Sequence, residues 1–513
     1  MDDLHLWPLI EARAEASPDA LFAVDELDRK LTFAGYRDGC LRCAAGLHEM
    51  GIGPGTVVSW QLPTWLEAML LVGGLARVGA VQNPLLPFLR EQEVGFITRQ
   101  TGARFLFVPR MFRGFDHEAM ARSIAKSGDA MEVVVIDRSL PEGAPSTLTP
   151  FPEAPGAADP IRWIFYSSGT TAEPKGVKHT DLSVGTPGKA MAEVLELEAD
   201  DRSALVFPFT HVGGINWLFA GLISGCSHIL VEAFDPTTTI DVLRKHRVTV
   251  AGAGTIFHQG YLAAQRANPE GPIFPDLRVC PGGGAPKPPG LHVDVKAQLG
   301  GIGIASGYGL TEHPIATMCR IGDPDPKLAD TEGRPTRGTE VRIVGPDEIP
   351  LAVGEDGEIR LRGPHLFRGY VDESLHAAAF DVAGFLRTGD LGHVDEAGFL
   401  TITGRLKDVI IRKGENISAK EVEDHLFEHP EIADVAVVGL PDPASGERAC
   451  AVVVPANPAV GFSFETMASF LAERGLARQK FPEQLELVDA LPRNASGKIL
   501  KNELRKRFTT QDD

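Results

Sequence analysis

Tyr166-Ser-Ser-Gly-Thr-Thr-Ala-Glu-Pro-Lys-Gly-Val-Lys178 follows the apolar run Trp163-Ile164-Phe165. Its two serines, two threonines and two glycines crowd hydroxyls and open backbone N–H groups into one loop. An anion with several oxygens needs many donors at close range, so a loop of this composition can wrap a polyphosphate. Lys175 adds a point charge. Walker A spacing is excluded, because the four residues after Gly169 are followed by Pro174 where that motif requires glycine. A plain surface loop is the competing reading, but ordinary turns are not this dense in hydroxyls.

Outward from this loop, short β-rich runs alternate with helix-like segments. Residues 57–63, 104–109, 132–137, 228–233, 248–253 and 277–280 read as mostly buried strands. That alternation predicts an α/β fold with parallel, doubly wound sheets. From about Thr339 the style changes. Residues 339–344 and 357–363 alternate polar and apolar side chains between Gly and Pro, which predicts antiparallel hairpins and a small β-barrel. After Gly404, helices at 419–428 and 464–473 and strands at 433–439 and 449–454 predict a compact α+β unit. We therefore expect a large N-terminal domain over 1–403 and a small C-terminal domain over 404–513.

Composition narrows the function. The 513 residues carry 50 basic and 69 acidic side chains, a formal charge of −19. Such a chain repels nucleic acid and anionic lipid on average. The N-terminus lacks the apolar core of a signal peptide. The uncharged stretch 203–231 is long enough to span a membrane, but it contains Pro208, His211, Asn216, His228 and four glycines. A buried strand–loop–helix–strand is the better reading, with no transmembrane segment. Cys40 and Cys43 form a CxxC inside a helix-like run at 33–50 with no partner pair nearby, so we expect helix-packing thiols. These features together predict a cytoplasmic protein with reduced thiols.

The loop also resembles the phosphate-loop signature of the adenylate-forming superfamily: acyl-CoA synthetases, amino-acid adenylation domains and luciferases. Further motifs appear in the family's order. They are Phe209-Thr-His-Val-Gly-Gly214, Gly282-Gly-Gly-Ala-Pro286, Gly307-Tyr-Gly-Leu-Thr-Glu312 and Gly357-Glu-Ile-Arg-Leu-Arg-Gly363 with Gly369-Tyr370. Thr388-Gly-Asp390, Gly404-Arg-Leu-Lys-Asp-Val-Ile410 with Lys413-Gly414, and Pro492-Arg-Asn-Ala-Ser-Gly-Lys498 complete the series. Any one could arise by chance; the whole series in register is very specific.

The resemblance implies a two-step ligase. A carboxylate attacks the α-phosphorus of ATP to give acyl-AMP and pyrophosphate; the thiol of coenzyme A then displaces AMP. It implies nucleotide contacts at Ser167, Ser168, Gly169, Thr170, Thr171, Lys175, Gly284, Ala285, Pro286, Gly307, Tyr308, Gly309, Asp390 and Arg405. Tyr308 would stack on adenine and Asp390 would take both ribose hydroxyls. Glu312 and Thr171 would hold Mg²⁺, a hard ion that prefers one or two carboxylates plus phosphate oxygens. Thr311 would stand near the α-phosphate. Lys498 would be the main catalytic cation, with His211 also in the catalytic set. Taken alone, Lys498 reads as part of a solvated basic run with Lys501, Arg505 and Lys506. His313 receives no role beyond structure.

Lys407 occupies the family's hinge position, where many relatives carry Asp. About it the small domain would rotate, exchanging Lys498 for the loop at Lys413 and Gly414 in the thioester step. The acyl pocket would involve His211, Val212, Gly213, Ile215, Trp217, Gly282 and Gly307, with core packing an equal alternative for Trp217. No Asp lies between Phe207 and Leu222 to hold a substrate ammonium, so an uncharged acid is expected. Asn83-Pro-Leu-Leu-Pro-Phe-Leu-Arg90 resembles ligases of medium-chain and alicyclic acids. Carrier-protein loading and a non-catalytic nucleotide sensor are the alternatives, and a homodimer is left open.

Overall fold

A computed structural model describes residues 4–127, 131–151, 159–167, 174–285, 287–288, 290–412, 415–443, 445–457, 461–493 and 498–509. Short Val/Ile/Phe-rich runs flanked by helices form parallel strands buried on both faces. One six-stranded sheet has the order Lys175–Thr180, Ile161–Ser167, Val81–Pro84, Val57–Trp60, Phe105–Val108, Glu132–Val135. All pairs are parallel except the first, where the strands flanking the hydroxyl-rich loop run antiparallel with Lys175 opposite Ser167.

A second layer contains Arg202–Leu205, Ser227–Leu230, Leu21–Asp25 and Lys30–Thr32. A third contains Cys280–Gly283, Ile304–Leu310, His313–Met318 and Arg334–Pro335. The expected strand at 248–253 is reduced to Val250, which bridges Ser203 on one side and Val279 on the other. That single residue joins the two ladders. The run ends there because Gly252, Ala253 and Gly254 turn into the helix Thr255–Ala267.

The helix Phe33–Glu49 packs Cys40 and Cys43 against Gly73 and Gly74 of the helix Leu66–Arg77. Both thiols are buried and free. A Cβ at Gly73 would overlap Cys40 Sγ, so the bare backbone there is what lets the two helices approach. The stretch 203–231 forms a strand, the helix Val212–Ser224 and a second strand. No helix among the described residues is long and apolar enough to cross a membrane.

Glu340–Val344, Gly357–Arg362, Leu386–Val394 and Leu400–Arg405 form a four-stranded antiparallel sheet over a core of its own. After it, Glu415–Ser418, Val409–Arg412, Gly446–Pro455, Ile432–Asp442 and Gln484–Leu487 build a five-stranded sheet. Alternation along Ile432–Asp442 sends Val435 and Val437 to one core and Ala436, Val438 and Leu440 to another. The first is covered by the helices Ala419–Phe427 and Phe464–Glu473, the second by Lys501–Thr509.

Candidate active site

Leu310 lies opposite His313 in the hairpin of Ile304–Leu310 and His313–Met318, so Thr311 and Glu312 form its two-residue turn. Two anchors hold the turn. His179 Nε2 donates to the Thr311 carbonyl at 2.8 Å, and His179 Nδ1 accepts from the Ser183 hydroxyl at 2.8 Å. Burial pulls His179 down to about 4, so the ring is neutral and can serve both bonds at once. The Tyr370 hydroxyl donates to Glu312 Oε1 at 2.9 Å. Burial, and then the Glu312 charge, hold that phenol well above its usual range, so it stays a donor.

Tyr370 reaches Glu312 because its segment runs along the free edge of Lys175–Thr180. Val371 N donates to the Gly176 carbonyl at 2.8 Å and Lys178 N to the Gly369 carbonyl at 2.9 Å. A Cβ at Gly176 would stand 2.8 Å from Tyr166 Oη and 2.7 Å from Val371, so glycine is required at this crossing. Lys175 Nζ sits 5.7 Å over the Tyr370 ring. The base of the hydroxyl-rich loop and the Glu312 carboxylate are thereby brought to one place.

A second chain of bonds begins two residues before Leu310. The Tyr308 hydroxyl donates to Asp390 Oδ2 at 2.7 Å. Asp390 Oδ1 accepts from Arg405 Nε, its register partner across the antiparallel sheet. Asp390 is 3% exposed. The Thr388 hydroxyl donates to the Ile359 carbonyl at 2.6 Å and accepts from Asp390 N at 3.1 Å, which fixes the turn that presents the carboxylate. Lys498 stands beside these groups, half-buried, next to Ile499, which bridges Arg493. Burial, then the neighbouring Arg405 and Lys407 charges, pull its ammonium down to about 8, while Asp390 and Asp408 oppose the shift.

A small cavity opens at Thr311. Its walls are the 84–89 segment, Phe165 with Tyr166, and Thr210-His211-Val212. His211 precedes the helix Val212–Ser224, and its Nδ1 accepts the Gly213 N–H at 3.1 Å. The ring is neutral, pulled to about 4 by burial. With Nδ1 accepting, the proton resides on Nε2, which leaves a neutral donor.

The structure thus gathers Lys175, Thr311 and Glu312 about Tyr370 and its strand, and Tyr308, Asp390, Arg405 and Lys498 into a second group, the two linked by the strand Ile304–Leu310, with His211 and Val212 on the cavity at Thr311. Ser167 ends its strand opposite Lys175, and Gly307 pairs with Gly283 in the parallel ladder beside Gly282, Gly284 and Ala285. Tyr308's ring packs in the core under the antiparallel sheet while its hydroxyl faces Asp390. Gly213, Ile215, Trp217, Gly282 and Gly307 do not line the cavity; Ile215 and Trp217 belong to the main core. Lys407 is exposed in the short turn Leu406–Asp408. Ser168, Gly169, Thr170, Thr171, Pro286, Lys413 and Gly414 lie outside the described residues. His313 is fully buried, its ring centroid 5.2 Å from that of His365.

His179 and the Tyr370–Glu312 bond carry no signal in spacing. His179 lies 132 residues from Thr311, and Tyr370 is visible only as part of a Gly-Tyr pair. Glu312 fits a hard cation: a buried carboxylate at a turn tip, with one oxygen already oriented by a phenol.

The model of the AMP-binding enzyme family matches residues 10–371, and that of the AMP-binding enzyme C-terminal domain matches 421–498. The medium-chain fatty-acid–CoA ligase of Escherichia coli (strain K12) is 31% identical over 99% of this chain and 92% of its own. A salicyl-AMP ligase / salicyl-S-ArCP synthetase of Mycobacterium tuberculosis is 33% identical over 94% of this chain and 87% of its own. The structure of o-succinylbenzoate CoA synthetase (MenE) from Bacillus subtilis, in complex with its acyl-adenylate intermediate, superposes with a TM-score of 0.83. It is 27% identical and covers 97% of both chains.

Proposed function

The chain belongs to the AMP-binding enzyme family, among its AMP-forming acid–CoA ligases, and from that premise we propose a two-step reaction on an acid with an uncharged tail. The observation that carries this reading is the delivery of Lys498 to the Tyr308–Asp390–Arg405 chain.

In the first step a carboxylate oxygen attacks the α-phosphorus of ATP and pyrophosphate leaves. Negative charge grows on a crowded phosphorus, and pre-placed cations and donors stabilise it. Lys498 spans the carboxylate and an α-phosphate oxygen. Asp390, held by Tyr308 and Arg405, accepts the ribose hydroxyls and orients the nucleotide. Ser167, Lys175 and Thr311 bind phosphate oxygens, together with Ser168, Gly169, Thr170 and Thr171. Gly284, Ala285, Pro286, Gly307 and Gly309 border the base. Glu312 and Thr171 would hold Mg²⁺, which would supply charge neutralisation at the phosphates. Neutral His211 offers an N–H to the acid without adding a charge. In the second step the coenzyme A sulfur attacks the acyl carbon and AMP leaves. For this the small domain, 404–513, turns about Lys407 and brings Lys413 and Gly414 to the site.

The tail side of the cavity is apolar, with Leu85, Leu86, Leu89, Phe165 and Val212 on it, which supports a medium-chain fatty or alicyclic acid. The salicyl-S-ArCP synthetase relative keeps a second reading in view, transfer to a carrier protein. The test is AMP release from ATP and Mg²⁺ with a panel of short to long fatty acids, benzoate and cyclohexanecarboxylate, each with and without coenzyme A. Release that needs both an uncharged acid and coenzyme A is expected. Acid-dependent adenylation with no coenzyme A requirement favours carrier loading, and no turnover with any acid removes the ligase reading.

A further inference from the structure

The cavity at Thr311 has about 20 Å³ of free volume, room for one water molecule. A tail larger than this space needs a wall to move. Phe165 and Tyr166 belong to a strand paired on both sides, by Lys175–Thr180 and by Val81–Pro84. Val212 begins a helix buried in the main core. The third wall, from Leu85 to Leu89, is irregular backbone between Val81–Pro84 and the helix Glu91–Thr101.

One side chain holds that backbone. Gln61 is fully buried, and its Nε2 donates to the carbonyls of both Leu86, at 2.9 Å, and Leu89, at 3.0 Å. Only the NH₂ end of an amide can serve two carbonyls, so Oε1 faces the other way. There it accepts from His117 Nδ1 at 3.2 Å. The His117 ring is itself wedged by Phe115, at 5.0 Å and nearly perpendicular. Arg90, at the far end of the wall, lies 4.0 Å over the Phe115 ring. Gln61 does not line the cavity.

We propose that Gln61 is a positioning residue for acid specificity: its amide pins the Leu86–Leu89 backbone and so limits the tail length that the cavity admits, favouring compact uncharged acids over long-chain ones. The proposal rests on the ligase reading and deepens it.

The experiment compares wild type, Gln61→Met and His117→Phe with hexanoate and dodecanoate, reading kcat and KM for each acid and KM for ATP. Methionine keeps the volume but cannot donate to the two carbonyls; phenylalanine keeps the ring in its stack but leaves Gln61 Oε1 unpartnered. Gln61→Met should raise the dodecanoate-to-hexanoate ratio of kcat/KM at least tenfold, mainly through KM for dodecanoate, with KM for ATP within twofold of wild type. His117→Phe should move the ratio the same way by a smaller factor. A merely structural role would lower both acids alike, so a ratio within twofold of wild type in Gln61→Met overturns the proposal. Should that variant not fold, an unmoved ratio in His117→Phe overturns it instead. A wild-type protein that turns over no acid removes the ligase reading and the assignment with it.

Discussion

At the scale of single residues, the role proposed for Lys498 ties a local electrostatic environment to one half of the reaction. In that role its ammonium is the useful form. Burial, Arg405 and Lys407 bring its pKa to about 8, so raising the pH through that value removes the cation. Acyl-AMP formation should therefore fall above pH about 8, while thioester formation from supplied acyl-AMP should not share that limb. Lys498→Ala should lower acyl-AMP formation by about 100-fold or more, the scale seen when one pre-placed donor is lost. It should leave the second half much less affected. Pyrophosphate release and thioester formation, measured separately, check both points, and equal loss in the two halves contradicts the division of labour. In the sequence Lys498 sits among Lys501, Arg505 and Lys506. Only folding separates them: Lys501 pairs with Glu423 and Arg505 with Asp408, while Lys498 is carried to Asp390 and Arg405.

At the scale of elements, close approach between helices depends on what is missing from Gly73 and Gly74. Gly73→Ala would drive a methyl into Cys40 Sγ at a fully buried contact. Overpacking of this kind costs about 1–3 kcal/mol, so the urea midpoint should fall, whereas Gly322→Ala, at an ordinary φ with nothing within 4 Å, should leave it nearly unchanged. The CxxC pair is legible as helix packing from its spacing and its lack of partners. The identity of the opposing surface is not, because it comes from a helix about thirty residues on. Strands are legible where apolar runs are long; the run 248–253 reads as a full strand, but its pairing is a single bridging residue, Val250, fixed by neighbours on both sides.

At the scale of the molecule, the proposed alternation of half-reactions requires the small domain to turn at Lys407. That residue lies exposed between the strands Leu400–Arg405 and Val409–Arg412. Lys407→Pro fixes φ near −65° and removes the freedom a hinge needs. Acyl-AMP formation, which the proposed function assigns to the present orientation, should persist. Coenzyme A-dependent turnover should fall at least tenfold, and unchanged turnover would contradict a hinge at this position. Single-turnover measurements of the two steps supply the check.

The sequence by itself determined the fold class and the family, because these rest on local composition: a hydroxyl-rich loop after an apolar strand, period-two alternation, and a series of short motifs in order. Tertiary structure alone decided which groups meet. His179 reaching Thr311, Tyr370 holding Glu312, and Gln61 pinning the Leu86 and Leu89 carbonyls are contacts between segments brought together by sheet order and register. Nor could pattern place Ile215 and Trp217 in the core rather than on the cavity, since an apolar helix face looks the same in either setting. Burial and hydrogen-bond partners are properties of the packed chain, and the pKa values and the size of the cavity at Thr311 follow from them.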